Sequence, residues 1–359
     1  MLKKMEMNLT ATETKWRALK FFSAVIVVTL LVGVSAVLLS NVIATPVSPR
    51  ETQIRGWVTD LGDKGLTAKR QAAQTQLESA GEEAVPALMT ALHSNNVNTR
   101  RNAADVLGFI ASTRATDALK QTLSADPASA VRANAAWALG EIKDSTALTT
   151  LERSSVLDPS IQVRTNANES IARIQDSLVE RAGRDPSQVN LIAVAPNSAN
   201  TLYLASGRDL LISRNNGAAW ETLPQALPSV VSSLAVNPTN PNILFAGMHS
   251  QGMYLSTDGG KTWQSLTRNF SNEAIGQSTV TAITVDPNNP MRVVMAHGIR
   301  VGGTGSEFFP LGILFSNDGG KTWGNVMDLE QGQLVTRLQI QNGKVYALTS
   351  DKVLIAPFN

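Results

Sequence analysis

The sequence predicts a multidomain chain, α-helical first and β second, held to a membrane by one N-terminal transmembrane helix. Three observations carry that reading. Phe21 to Ala44 is an uncharged apolar run; alanine-rich helical segments repeat at a 32-residue offset; and a later set of alternating apolar segments repeats, each followed by a turn rich in glycine, asparagine or proline.

The apolar run, FFSAVIVVTLLVGVSAVLLSNVIA, has no charge between Lys20 and Arg50. As a helix its 24 residues reach roughly 36 Å, enough for a hydrocarbon core of about 30 Å. It has no polar face of the kind a soluble core helix shows. Lys3, Lys4, Lys15, Arg17 and Lys20 precede it, whereas only Arg50 and Arg55 follow closely. That asymmetry predicts a cytoplasmic segment over 1–20, a transmembrane helix over 21–44 and an extracytoplasmic body. Trp16 stands where an interfacial anchor is expected. Val42-Ile43-Ala44 is an acceptable cleavage site, but the run exceeds a signal h-region of about 7–15 residues. Gly33, Ala36 and Ser40 are small enough for close helix–helix contact in the bilayer. Residues 45–53, with Pro46 and Pro49, read as a short linker of at most about 30 Å, so the body sits near the membrane surface.

The net charge of +2 comes from well-mixed signs, with no basic stripe for nucleic acid. The chain has no cysteine, which excludes disulfides, thiolate catalysis and cysteine-ligated metal centres.

The first repeat reads VNTRRNAADVLG at 97–108, SAVRANAAWALG at 129–140 and IQVRTNANESIA at 161–172. Arg100, Arg132 and Arg164 align, as do Asn102, Asn134 and Asn166, and a weaker copy surrounds Arg70, Ala73 and Leu77. A shorter apolar segment precedes each copy: Val85 to Leu88, Ala118-Leu119 and Ala147-Leu148. Two helices per repeat, with alanines where neighbours stack, predict an α-solenoid of about four hairpins over 54–182. The pattern resembles HEAT repeats, especially the short phycobilisome-lyase-like kind. Asp126 with Arg132 and Asp158 with Arg164 match that family's Asp-x5-Arg spacing, which implies a ladder of structural ion pairs along the stack. Ser94 replaces the Asp before Arg100, so the ladder is expected to be incomplete there. A solenoid surface commonly binds another protein.

Beyond Gly183 the pattern changes to strands broken by Asn, Pro and Gly. Three units, at 191–205, 233–246 and 282–295, are strand–turn–strand, and 338–348 is an abbreviated fourth with a tight Asn342-Gly343 turn. Ser256, Asp258, Gly260, Thr262 and Trp263 form an S-x-D-x-G-x-T-W motif, repeated by Ser316, Asp318, Gly320, Thr322 and Trp323; the copy at 213–220 is degenerate. A carboxylate at such a bend accepts backbone N–H groups, glycine supplies positive φ, and tryptophan packs the turn. Residues 188–359 thus resemble the Asp-box (BNR) β-propellers, a group that includes sialidases, sortilin-like receptors and photosystem assembly factors. The resemblance implies a small or partial propeller of about four blades, with the boxes at its periphery. Four blades are few for a closed ring, so a second chain is expected to complete or cover the open edge.

Catalysis finds little support. Sialidase chemistry needs an arginine cluster and a tyrosine–glutamate pair on about six blades, and the three tyrosines include Tyr203 and Tyr346 at core-like positions. His249 and His297 follow equivalent second strands, with no carboxylate pattern to make a metal site. Gly302-Gly303-Thr304-Gly305 lacks the lysine and helix of a phosphate loop. No cofactor or metal is therefore expected. The box spacing is 43 residues from Ser213 to Ser256 but 60 from Ser256 to Ser316. The extra length carries Phe308 and Phe309, read as a protrusion that docks on a partner. The expected function is a non-enzymatic, membrane-anchored scaffold, accessory subunit or assembly factor of a multi-subunit membrane complex, photosynthetic or respiratory. The alternative is a receptor-like propeller binding a peptide or glycan. Expected partners are membrane-complex subunits and the bilayer through 21–44.

Overall fold

A computed structural model describes residues 48–64, 67–196, 200–266, 278–301 and 307–358. The chain divides into two compact units, 1–53 and 54–359. The expected transmembrane helix at 21–44 lies outside the described residues, as does the segment 1–20. Among the described residues no helix is long and apolar enough to cross a membrane.

Half of the expected linker is helical. Helix α1 runs Pro49–Asp60. The Ser48 hydroxyl accepts the Glu51 N–H at 3.0 Å, so it serves as the cap. Pro49 then falls at the first helical position, where its missing N–H costs nothing and its fixed φ already suits the helix.

Seven further helices follow: α2 (Ala68–Ala80), α3 (Val85–Ala91), α4 (Val97–Ile110), α5 (Thr116–Ala125), α6 (Ser129–Ile142), α7 (Leu148–Leu157) and α8 (Ile161–Arg181). With α1 they form four helical hairpins along the described chain, and their alanines and leucines make one continuous core. The repeat is carried into its terminations: α4 and α6 end at Ala111 and Lys143, both left-handed, at the same step. Close stacking depends on missing side chains. A Cβ on Gly140 would meet Ser170 of the next hairpin, whose hydroxyl donates to the Ala136 carbonyl at 2.8 Å.

The ion-pair ladder runs between hairpins, and its gap lies at the other end from the one expected. Arg100 Nε and Nη2 reach the Asp126 carboxylate at 2.6 and 3.1 Å; Arg132 reaches Asp158 at 2.7 and 2.9 Å. Within its own hairpin each arginine instead donates Nη1 to a backbone carbonyl, that of Ser94, Asp126 or Asp158. Ser94 therefore loses nothing, because the bond uses its backbone. Among the described residues the rung without a carboxylate is Arg164, whose hairpin is followed by sheets.

Four antiparallel sheets come next, each with its strands in chain order. The first holds β1 (Val189–Val194), β2 (Leu202–Ser206), β3 (Asp209–Ser213) and β4 (Glu221–Thr222). The second holds β5 (Val231–Val236), β6 (Leu244–Met248), β7 (Met253–Ser256) and β8 (Gln264–Ser265). The third holds β9 (Thr279–Val285), β10 (Val293–Val301), β11 (Glu307–Ser316) and β12 (Gly324–Asp328). The fourth has only β13 (Arg337–Gln341), β14 (Lys344–Leu348) and β15 (Val353–Pro357). Asn342 and Gly343 both have positive φ in the two-residue turn joining β13 to β14. The first strands of successive sheets, β1, β5, β9 and β13, are neighbours in that order around a common axis.

Where the ring would need more blades, this chain places its own helices. Helix α7 packs on β13 and β14. Arg337 at the start of β13 donates to Ser155 of α7 and Asn168 of α8, both at 2.6 Å. On the other side Ile192, Leu202, Leu204 and Leu211 of the first sheet join the core of the helices. The α7–α8 hairpin thus packs on both the fourth sheet and the first. The change from helix to strand after 182 is a change of architecture with no break in the core, and residues 54–359 form one compact unit.

Candidate functional site: a cavity on the axis of the sheets

The two Asp-boxes are turns between the third and fourth strands of their sheets. In the first, Ser256 Oγ donates to Asp258 at 2.9 Å and accepts the Gly260 N–H at 2.8 Å. The Asp258 carboxylate accepts the Thr262 N–H at 2.9 Å and its hydroxyl at 2.6 Å, and Trp263 Nε1 donates to the Gly260 carbonyl at 3.1 Å. Ser316, Asp318, Gly320, Thr322 and Trp323 repeat this pattern, with 2.6 Å again between the Thr322 hydroxyl and Asp318. The threonine hydroxyl, then the threonine N–H, holds both carboxyls down to about 2.

Each box rests on a leucine of the preceding element. A Cβ on Gly260 would meet Leu223, and one on Gly320 would meet Leu266; these leucines directly follow the fourth strands of the first and second sheets. Gly217 of the degenerate box meets Leu178 of α8. The helix supplies to the first sheet the contact that a preceding blade would supply.

Phe308 and Phe309 lie on β11, whose pairing with β10 runs to Val301↔Glu307, and both are half-buried. The protrusion is a long hairpin, with residues 302–306 and their glycines outside the described residues. Phe308 folds back: its ring fills the space above Gly298, and the Arg300 guanidinium lies 5.6 Å from its centroid. The exposed apolar surface is carried instead by Ile299, Val301 (54 % exposed) and Leu311.

The histidines are not equivalent. Counting from Val236↔Leu244 and Val285↔Val293, His297 matches Met248, while His249 lies one residue further. His297 is buried inside β10 and its Nδ1 has no hydrogen-bond partner among the described residues. No group of three or more potential metal ligands occurs among the described residues.

None of these residues lines the cavity on the axis. That cavity, about 360 Å³, is walled by the first strands of all four sheets and by α7 and α8. Aliphatic groups such as Leu234 and Ile283 alternate there with Ser232, Thr281 and Gln339. Its charged lining groups are Glu152, Arg153 and Arg337. Burial pushes the Glu152 carboxyl up, against the pull of Arg337, and burial lowers Arg337. Sequence reasoning missed all three. Glu152 sits on a helix read as solenoid, and only the fold turns its face toward the sheets. Arg337 left one signal, a lone cation heading the alternating pattern Leu338-Gln339-Ile340-Gln341.

The family described as HEAT repeats matches residues 63–129, 85–172 and 116–195, and the BNR/Asp-box repeat matches 254–265. The chain carries both kinds of repeat. It is 29% identical over 150 residues to a probable oligoxyloglucan-reducing end-specific xyloglucanase of Neosartorya fischeri, covering 38% of this chain and 17% of that protein. The chain thus spans about a sixth of that relative's length. Among solved structures it is similar to the complex of CpcE and CpcF of phycocyanin lyase from Nostoc sp. PCC7120, with 26% identity, coverage of 38% and 91%, and a TM-score of 0.31. It is also similar to YCF48 bound to D1 peptide, with 17% identity, coverage of 45% of this chain and 47% of that one, and a TM-score of 0.32.

Proposed function

We propose that this protein is a non-enzymatic, membrane-anchored scaffold, accessory subunit or assembly factor of a multi-subunit membrane complex, tethered through residues 21–44. The observation that carries the reading is the shared core of solenoid and sheets. Two repeat surfaces fused in this way present a partner with fixed, widely separated contacts and no ordering cost between them. The solenoid adds an aromatic pair at its surface, Phe109 (56 % exposed) edge-on to Trp137 at 5.0 Å, suited to anchoring an interface.

The xyloglucanase similarity supports a second reading, a glycan-binding or glycan-cleaving sheet domain. Glycoside hydrolysis commonly uses two carboxyl groups flanking the bond, whereas the axial cavity is lined by one, Glu152. That favours binding over turnover.

Purification of the full chain in mild detergent tests the proposal. Stoichiometric recovery with several membrane subunits supports it, and Val301→Ser with Leu311→Ser, the exposed apolar residues of the hairpin that carries Phe308 and Phe309, should weaken that recovery without lowering thermal stability. Recovery of the chain alone, together with release of sugar from xyloglucan oligosaccharides, would overturn it.

A further inference from the structure

Arg337 is a half-buried cation whose attachments are neutral and use one nitrogen. Nη1 donates to Ser155 Oγ and Asn168 Oδ1, which fixes the plane of the guanidinium. Its Nε and Nη2 have no acceptor among the described residues, although both edges of the fork belong to a cavity-lining side chain. The only carboxyl in the lining, Glu152, feels Arg337 electrostatically without hydrogen bond or ion pair to it. The same chain shows what such a fork takes when satisfied: Arg100 and Arg132 each bind a carboxylate through Nε and Nη2 while Nη1 holds neutral oxygen.

We propose that the axial cavity binds a single carboxylate, seated on Nε and Nη2 of Arg337, with its aliphatic body against Leu234 and Ile283. This names the partner chemistry for the scaffold reading above and rests on it. One planar fork with three N–H donors matches one carboxylate. A phosphate dianion would want more cations than Arg337 and Arg153 and would meet stronger repulsion from Glu152. A sugar would want an aromatic platform, and no aromatic side chain lines the cavity. The charged groups facing the seat are Glu152 and Arg153 from α7 and Arg337 from β13; α8 contributes Gln175 and the other three strands contribute no charge. Glu152 therefore acts as a brake, repelling the ligand while ionised.

The test is calorimetric titration of the full chain in detergent with three probes: butyrate, an acetylated trialanine ending in a free carboxylate, and the same peptide amidated. Equal binding of butyrate and the free-carboxylate peptide marks a small-acid site, and tighter binding of the free-carboxylate peptide marks a chain terminus; either supports the site. Arg337→Gln should weaken binding at least tenfold, and Glu152→Gln should strengthen it several-fold. Because Arg337 also ties β13 to α7 and α8, Glu152→Gln is the deciding variant, since loss of packing does not raise affinity. Equal binding of the amidated peptide, no binding of any probe, or unchanged affinity in Glu152→Gln would overturn the inference. If no probe binds while the chain still co-purifies with membrane subunits, the scaffold reading stands and the carboxylate site falls.

Discussion

Acid should destabilise the third sheet through His297 before any box carboxylate is touched. The side chain is 4 % exposed in the interior of β10, and burial alone lowers its pKa from 6.5 to about 4. In the unfolded chain the imidazole takes a proton near its ordinary value, while the folded chain refuses one until about 4. The unfolded state thus binds more protons across this window, so stability is full above 6.5 and falls as pH drops toward 4. A gap of about 2.5 units at 1.36 kcal/mol each makes the loss about 3 kcal/mol, a large share of a typical 5–15. The second sheet supplies the control, because its matching residue, Met248, is fully buried. Urea unfolding of wild type and His297→Met should be compared at pH 7 and pH 4. The difference between the two proteins should move by about 3 kcal/mol in favour of the variant on acidification. Subtraction removes Glu152 and Asp105, whose raised carboxyls act with the opposite sign. A pH-independent difference would refute burial of a neutral imidazole at this position.

The corrected ladder predicts that Asp158→Ala costs roughly 3–5 kcal/mol, since it strands the largely buried Arg132, whereas Arg164→Ala costs about 1 or less; chemical denaturation separates them. Leu178→Ala should cost roughly 2–5 kcal/mol, and helical and tryptophan signals should shift together because the residue belongs to both repeat arrays. The box carboxyls contribute stability that is complete above the ordinary value of 3.8 and lost as pH falls through about 2. Replacing Asp258 and Asp318 with Asn should remove that slope from acid unfolding curves measured over the same range.

Much of this fold was legible because repeats impose periodicity. The arginine–asparagine–alanine register marked the second helix of each hairpin, and the boxes marked the turn between third and fourth strands. Direction of pairing was not legible: Asp-x5-Arg spacing is equally consistent with a bond inside one hairpin or to the next. Only the stack decides, by placing Asp126 beside Arg100. The inward packing of Phe308 was illegible for a related reason. Glycine-rich sequence reads as loop, yet Gly298 leaves a space on β10 that a phenylalanine ring from β11 fills. Pro49 read as linker because proline breaks helix interiors, although at a helix's first turn it starts one.

The axial cavity was illegible for a deeper reason, and the same reason hides how the ring closes. Its charged lining comes from both arrays, so no reading that treats them as separate domains can assemble it. The leucine beneath each box nevertheless leaves a trace: Leu223 and Leu266 are 43 residues apart, and Leu178 precedes Leu223 by 45. The blade period therefore continues back into a helix. At that position the structural requirement is one apolar side chain against a turn glycine, and a helix meets it as well as a strand. Helix α7 packs on the fourth sheet while α8 sets Leu178 against the first, which is why Glu152 and Arg337 come to share one cavity.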